Sequence, residues 1–373
     1  MKGQSHHVSA SPTQPLSLWA VPVADMGGVA RHVIDVVRSG LPGLRMAVLC
    51  PPGPLADTLR QLEASVVVGA FGTRAGVVRS VRQLRRTVAQ LQPAVVHTHL
   101  AYADVVAAIA MAMNPRVRLI STEHGIADDS LMYHATPWRS QVMVMVHRAR
   151  LRRCDALIAV SEATRHVMST RWRPRQPIHV IHNAVDPVTR PSRTRGENLR
   201  ILSLSRLAPE KRIDVLLRAM PLVLDQVPDA TLTVAGTGDQ EQTLRALANR
   251  LGVEDVVHFV GFLDAQEAMA QHDVVVQLSA WENLSYTLLD ARAAGMAVVA
   301  TDVGGNREIL PAESLLTDLS PVSVAEAIVA AQPVPSTTTR LNAQTDAATV
   351  ADMASAIAAV TLETVTTGQG AAA

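Results

Sequence analysis

VVRSVRQLRRTVAQLQPAVVH (77–97) changes its period part-way along. Val77, Val81, Leu84, Val88 and Leu91 recur at helical spacing, while Arg79, Arg82 and Arg86 share another face. Past Gln92-Pro93, the apolar run AVVH (94–97) has the length and β-branched content of a buried strand. A helix feeding straight into a buried strand is half of a βαβ unit. Working outward, the same alternation holds with LSLWAVPV (16–23), RMAVLC (45–50), SVVV (65–68), RLIST (118–122), ALIAV (156–160) and IHVIH (178–182). Continuously apolar strands separated by helical periods predict a parallel sheet covered on both faces.

PVTRPSRTRGENL (187–199) interrupts the pattern with two prolines, a glycine and polar residues, and reads as a linker over 188–198. The alternation restarts with LRILSLS (199–205), TLTVAG (231–236), VVHFVG (256–261), DVVVQLS (273–279) and MAVVAT (296–301). The expected fold is α/β: two Rossmann-like doubly wound domains, 1–187 and 199–345, facing each other across a cleft. A helix over about 346–363 and a frayed tail close the chain. The helix after the linker is expected to begin at Pro209, with Ile213, Leu216, Leu217, Met220 and Leu224 turned inward. In such sheets ligands bind beyond the carboxyl ends of the strands, so the chemistry is expected there.

Composition narrows the class. The 373 residues, 48% hydrophobic, suit two cores rather than a disordered chain. Cys50 and Cys154 are the only cysteines, which excludes a disulfide framework or a Cys-rich zinc site. Aromatics at 3% argue against base-stacking nucleic-acid binders. MKGQSHHVSASPTQP (1–15) lacks an apolar signal core, and no 18-residue apolar stretch occurs, so a cytoplasmic location is expected. Charge is uneven: residues 1–195 carry 24 Lys/Arg against 11 Asp/Glu, residues 196–373 carry 10 against 22. Arg79, Arg82 and Arg86, with Arg139, Arg148, Arg150, Arg152 and Arg153 in RSQVMVMVHRARLRR (139–153), raise two readings. One is peripheral binding to the anionic inner face of a membrane; the other is attraction to the acidic half. Lysine is almost absent: only Lys2 and Lys211 occur, so Lys211 stands out.

The strongest chemical signal follows strand 199–205. Arg206 stands at its end and Lys211 on the next helical turn, spaced to meet one anion. After strand 273–279 comes Trp281-Glu282-Asn283-Leu284-Ser285, and a helix starting near Leu284 would add free N–H groups that favour a phosphate. Glu282 ahead of that helix and Asp290 within it offer two carboxylates for a polyhydroxylated ligand.

SRLAPEKR (205–212) and WENLSYTLLDARAAGMAVVATDVGGNREI (281–309) resemble the two signature segments of glycosyltransferase family 4, retaining enzymes of GT-B fold. GGVARHV (27–33), VHTHL (96–100), STEHG (121–125), IAVSEAT (158–164), HNAVD (182–186), VAGTGDQ (234–240) and VVHFVGF (256–262) keep the family's order, so the resemblance runs to about residue 330. It implies that Arg206 and Lys211 bind the diphosphate of a UDP- or GDP-sugar. It implies that Glu282 touches the donor sugar and that Asp290 holds the ribose, with Asp one methylene shorter than the family's Glu. Asn283, Leu284 and Ser285 would present the helix tip, Gly27-Gly28 a backbone approach to phosphate, and His124 a contact near the reacting carbon. No cofactor is implied, and the acceptor would be a glycan or a lipid-linked glycan. The chain has no Asp-x-Asp motif for a metal, so the cations and helix N–H groups are expected to replace one.

Other signals are weaker. His97 and His99 alternate at a strand end and read as a core and a cleft histidine rather than a metal pair. Gly236-Thr237-Gly238 reads as a tight turn, and Thr301–Asn306 either approaches the donor or merely turns the chain. Glu123 either orients His124 or is a surface acid. A sugar-nucleotide epimerase, an NAD-dependent oxidoreductase and an inactive binding protein are the alternatives. AVPVADMGGVA (20–30) lacks the dinucleotide glycine pattern, and a phosphorylase would need a Schiff-base lysine beyond Lys2 and Lys211.

Overall fold

In a computed structural model, residues 14–114, 116–125, 137–188, 198–333 and 349–370 are described. Two compact units form: residues 1–183 with 350–373, and residues 184–349. Among the described residues the first holds seven parallel strands: β1 (Leu16–Ala20), β2 (Arg45–Cys50), β3 (Val66–Val68), β4 (Val95–His99), β5 (Arg118–Glu123), β6 (Ala156–Ala159) and β7 (Ile178–Val180). Their order is β3-β2-β1-β4-β5-β6-β7. The connecting helices are α1 (Gly28–Ser39), α2 (Pro54–Gln61), α3 (Val77–Leu91), α4 (Leu100–Ala110), α5 (Pro137–Leu151) and α6 (Glu162–Val167). Every residue of β1 and β4 is buried, as a strand covered on both faces requires.

The second unit holds β8 (Arg200–Leu204), β9 (Thr231–Ala235), β10 (Val257–Gly261), β11 (Val274–Gln277), β12 (Ala297–Thr301) and β13 (Leu315–Leu316), all parallel, in the order β10-β9-β8-β11-β12-β13. Its helices are α7 (Ile213–Gln226), α8 (Glu241–Leu251), α9 (Ala265–Gln271), α10 (Tyr286–Ala293), α11 (Asn306–Ile309) and α12 (Pro321–Ala330). Both strand orders reverse direction beside the first strand, at β1/β4 and at β8/β11, the crevice where doubly wound sheets hold ligands.

Several expectations need correction. Val77 is 39% exposed because it is the first residue of α3; Val81, Leu84 and Val88 form the buried face. No helix starts at Pro209: Pro209–Lys211 is a 3-10 turn, and Arg212 adopts the left-handed region before α7 begins. The arginines of 139–153 are expected to surround a Val/Met core, but Val142 and Met145 of α5 are exposed. The last helix, α13, spans Val350–Gly370 rather than about 346–363 and packs on α1 and β5 of the first unit. Most of the proposed linker, 189–197, lies outside the described residues, as do Asp128, Asp129 and His134, polar residues of the stretch 123–140 expected to help build an acceptor pocket, and the side chain of Arg139. No helix among the described residues is long and apolar enough to cross a membrane.

Candidate active site

In the second unit, the turn after β8 and the loop after β11 are stitched together because their parent strands are neighbours. The Ala280 N–H donates to the Glu210 carbonyl, joining the Pro209–Lys211 turn to the loop. Lys211 Nζ pairs with Glu282 across this seam. Ser279 Oγ at 2.8 Å and Gln277 Nε2 at 3.0 Å donate to the same oxygen, Glu282 Oε1. All three donors fall on the one oxygen, Oε1.

The network extends to the helix tip. Gln277 Oε1 accepts from Ser285 Oγ at 2.8 Å, and Ser285 caps α10 by accepting the Leu288 N–H. The helix thus starts at Tyr286, with Ser285 as its cap. Asn283, Leu284, Ser285 and Asp290 are all buried. Arg206 is not drawn to Lys211: its side chain is 69% exposed and binds Glu210 at 2.7 Å. The two cations therefore occupy one rim, each held by its own carboxylate.

Two glycine turns back this rim. Gly236 has φ +134, and a Cβ there would stand 1.9 Å from the Ser205 carbonyl oxygen, so Gly236–Gly238 is a packing turn beneath Ser205–Leu207. Gly304, at φ +52, would bring a Cβ to 1.7 Å from the Glu282 carbonyl oxygen. The Thr301–Asn306 turn thus supports the Glu282 loop, and Thr301 Oγ1 ties it to the Ser279 carbonyl. Gly304→Ala adds a left-handed penalty of about 1–2 kcal/mol to that clash. The variant is expected to melt lower than wild type, read by thermal shift.

The first unit gathers histidines at the carboxyl ends of β4 and β5. His99 Nδ1 lies 2.9 Å from His124 Nε2, and His32, from α1, stacks edge-on against His124 with ring centroids 4.7 Å apart. Asn183 Oδ1 holds His32 Nδ1 at 3.1 Å, and Thr122 Oγ1 holds His97 Nε2 at 2.7 Å. Trp19 packs against His32, His97 and His99. Burial pushes His32 down to about 4, against the Asn183 hydrogen bond, and His97 to about 3, with His32 adding to the effect. His99 and His124 are pushed well below the usual imidazole range for the same reason, so neutral rings line this edge at pH 7.

Glu123 is neither a surface acid nor the partner of His124. As the residue before it, Glu123 points the other way and meets Arg150 Nη2 at 2.5 Å. Arg150 also pairs with Asp104, which accepts from Thr98 Oγ1 and from Ser121 Oγ at 2.7 Å. All three ionisable side chains are buried. Burial pushes the Glu123 carboxyl up to about 8, the Gly125 N–H opposing it. Gly27, on the same unit, is extended, and a Cβ there would meet nothing within 4 Å; the chain's own packing does not demand glycine.

Two family models match in succession. Glycosyltransferase Family 4 covers residues 26–189, and Glycosyl transferases group 1 covers 187–331. The chain belongs to glycosyltransferase family 4. A GDP-mannose-dependent alpha-(1-6)-phosphatidylinositol monomannoside mannosyltransferase of Mycobacterium tuberculosis is 32% identical over 52% of this chain and 56% of its own. Glycogen synthase of the same organism is 27% identical over 77% of both. The chain spans about half the length of the first curated relatives it matches. Among solved structures, Anabaena Alr3699/HepE in complex with UDP-glucose superposes with a TM-score of 0.71 over 96% of this chain and 98% of that one, at 24% identity. That likeness shows the GT-B fold.

In this family 4 chain, sequence reading missed Gln277, Ser279 and His32, and it counted the buried Arg150 among the surface arginines. Gln277 carried a usable signal, a polar residue closing the run VVV on a central strand. His32 carried none, being one of several polar residues on an amphipathic helix.

Proposed function

We propose that the chain is a retaining, metal-independent glycosyltransferase that moves a hexosyl group from a UDP- or GDP-sugar to a glycan or lipid-linked acceptor in cell-envelope or exopolysaccharide synthesis. One observation carries the reading: Lys211 and Glu282 are locked together beside the capped N-terminus of α10. A departing nucleoside diphosphate develops negative charge on its terminal phosphate. Lys211 and the first N–H groups of α10 are donors fixed before the reaction, which is where such donors lower a barrier most, and Arg206 joins them from its exposed place beside Glu210. On binding, the diphosphate takes Lys211 from Glu282 and Arg206 from Glu210. Glu282, still gripped by Ser279 and Gln277, turns Oε2 to the sugar hydroxyls, and Asp290 takes the ribose. His124 carries over as the sugar-facing histidine, neutral and therefore able to accept or donate a hydrogen bond. Retention follows from front-face attack, with the leaving phosphate accepting the acceptor's proton.

The name of one relative supports GDP-mannose as donor, and the ligand of one solved neighbour supports UDP-glucose. A thermal-shift panel of UDP, GDP, ADP and their sugars is expected to raise the melting temperature with one uridine or guanosine series, since a ligand that binds only the folded state stabilises it. No shift with any nucleotide would overturn the reading. Transfer is expected to survive EDTA, and NMR of the product to show the donor's anomeric configuration.

Peripheral membrane binding is the second part of the proposal. Arg79, Arg82 and Arg86 are exposed on α3, with Val77 and Val78 at its start, and Ile109 and Met113 are exposed at the end of α4, against which α3 packs. The α5 segment contributes less than its sequence promises: Arg150 is buried, and Arg153 is spent on the carbonyls of Asn114 and Val117. Co-sedimentation with liposomes is expected to rise with anionic lipid, to fall with salt, and to weaken in a triple Arg79/Arg82/Arg86→Ala variant.

A further inference from the structure

We propose that His32, His99 and His124 form a zinc-binding site in the first unit. One ring nitrogen from each lies within 4.8 Å of those of the other two. Zinc–nitrogen bonds of about 2.0–2.1 Å set tetrahedral ligands roughly 3.3 Å apart, so modest rotamer shifts close the triad. The His99–His124 pair is already at 2.9 Å. Three histidines from α1, the end of β4 and the end of β5 leave a fourth position open, the arrangement zinc adopts with a water or an exchangeable ligand. The surroundings suit the ion. Asn183 Oδ1 fixes His32 through its other ring nitrogen, as an orienting partner does in metal sites, and Trp19 walls the cluster with apolar surface.

Zinc here is an inhibitor, since it withdraws His124 from the sugar; that inhibition rests on the proposed transferase reading, the binding itself does not. The test is titration of the full chain, without an affinity tag, with ZnCl2 against a chromogenic chelator, and with Co2+ followed by its visible absorption. One equivalent is expected to bind. His32→Ala and His99→Ala should each weaken it by about 10–100-fold or more, while His97→Ala and a His6→Ala/His7→Ala double variant leave it unchanged. Absence of binding in wild type, or equal binding in the His32 and His99 variants with circular dichroism unchanged, overturns the site. Transfer is expected to fall on adding zinc and to return with EDTA. Zinc bound at the triad with transfer unaffected overturns the inhibitory role alone, and a chain that binds zinc but transfers no sugar overturns the transferase reading instead.

Discussion

Lys211→Ala is expected to lower turnover by about 10²–10³-fold, the loss seen when one preorganised donor to a developing anion is removed. The fold should survive. Lys211 is half-buried on a 3-10 turn, and its partner Glu282 keeps the hydroxyl of Ser279 and the amide of Gln277 when the ammonium goes. The melting temperature is therefore expected to move by only a few degrees while the rate collapses. Arg206→Ala should cost less, about tenfold or more, because Arg206 must first give up Glu210 and sits in solvent, where charge is screened. Lys211→Arg tests the geometry: a guanidinium is bulkier than the ammonium between Glu282 and the turn, so it should recover only part of the rate. Saturating kinetics on the three variants, with a donor chosen from the thermal-shift panel, separates these outcomes. A Lys211→Ala enzyme within about threefold of wild type in kcat would remove the diphosphate role from this cation.

That pair marks the boundary between what sequence alone reveals and what it does not. The βα alternation was legible because buried parallel strands are short apolar runs and the helices between them keep a 3.6 period, a pattern independent of how domains meet. It follows that Lys211 and Glu282 could be placed at strand ends. That they bind each other could not, since pairing depends on β8 and β11 being neighbours in the sheet, a property of topology. The break at Arg212 was hidden for a local reason: PEKRIDVLL has no glycine or proline where the left-handed residue falls. Arg150 shows the opposite failure. In RARLRR four of the six residues are arginine, so no periodicity separates the buried arginine from the exposed ones. Nor does an alanine-rich helix at the chain's end say which unit it will cover; α13 covers the first.

Arg150→Met is expected to destabilise the first unit by about 3–5 kcal/mol, the cost of deleting one partner from a buried ionic network. Two carboxylates, Asp104 and Glu123, share this guanidinium away from solvent. Asp104 retains two hydroxyl donors after the substitution, but Glu123 must keep its proton or lie buried as an unpaired charge. Replacing all three by uncharged isosteres, Asp104→Asn, Glu123→Gln and Arg150→Met together, should recover most of the loss, because the penalty lies in the charges left behind rather than in the contacts. Glu123 also makes stability depend on pH. Its folded-state pKa of about 8 lies above the 4.5 of the unfolded chain, so the native state holds the proton more tightly. The contribution is fully present below pH 4.5, declines by up to about 1.4 kcal/mol per pH unit above it, and is gone past pH 8. Denaturant melts of wild type and Glu123→Gln in EDTA, compared from pH 5 to 8.5, should converge at the acid end and separate as the pH rises, with wild type the less stable. Parallel curves would mean that Glu123 stays ionised against Arg150 throughout, and that the charge shared in this network is carried by both carboxylates.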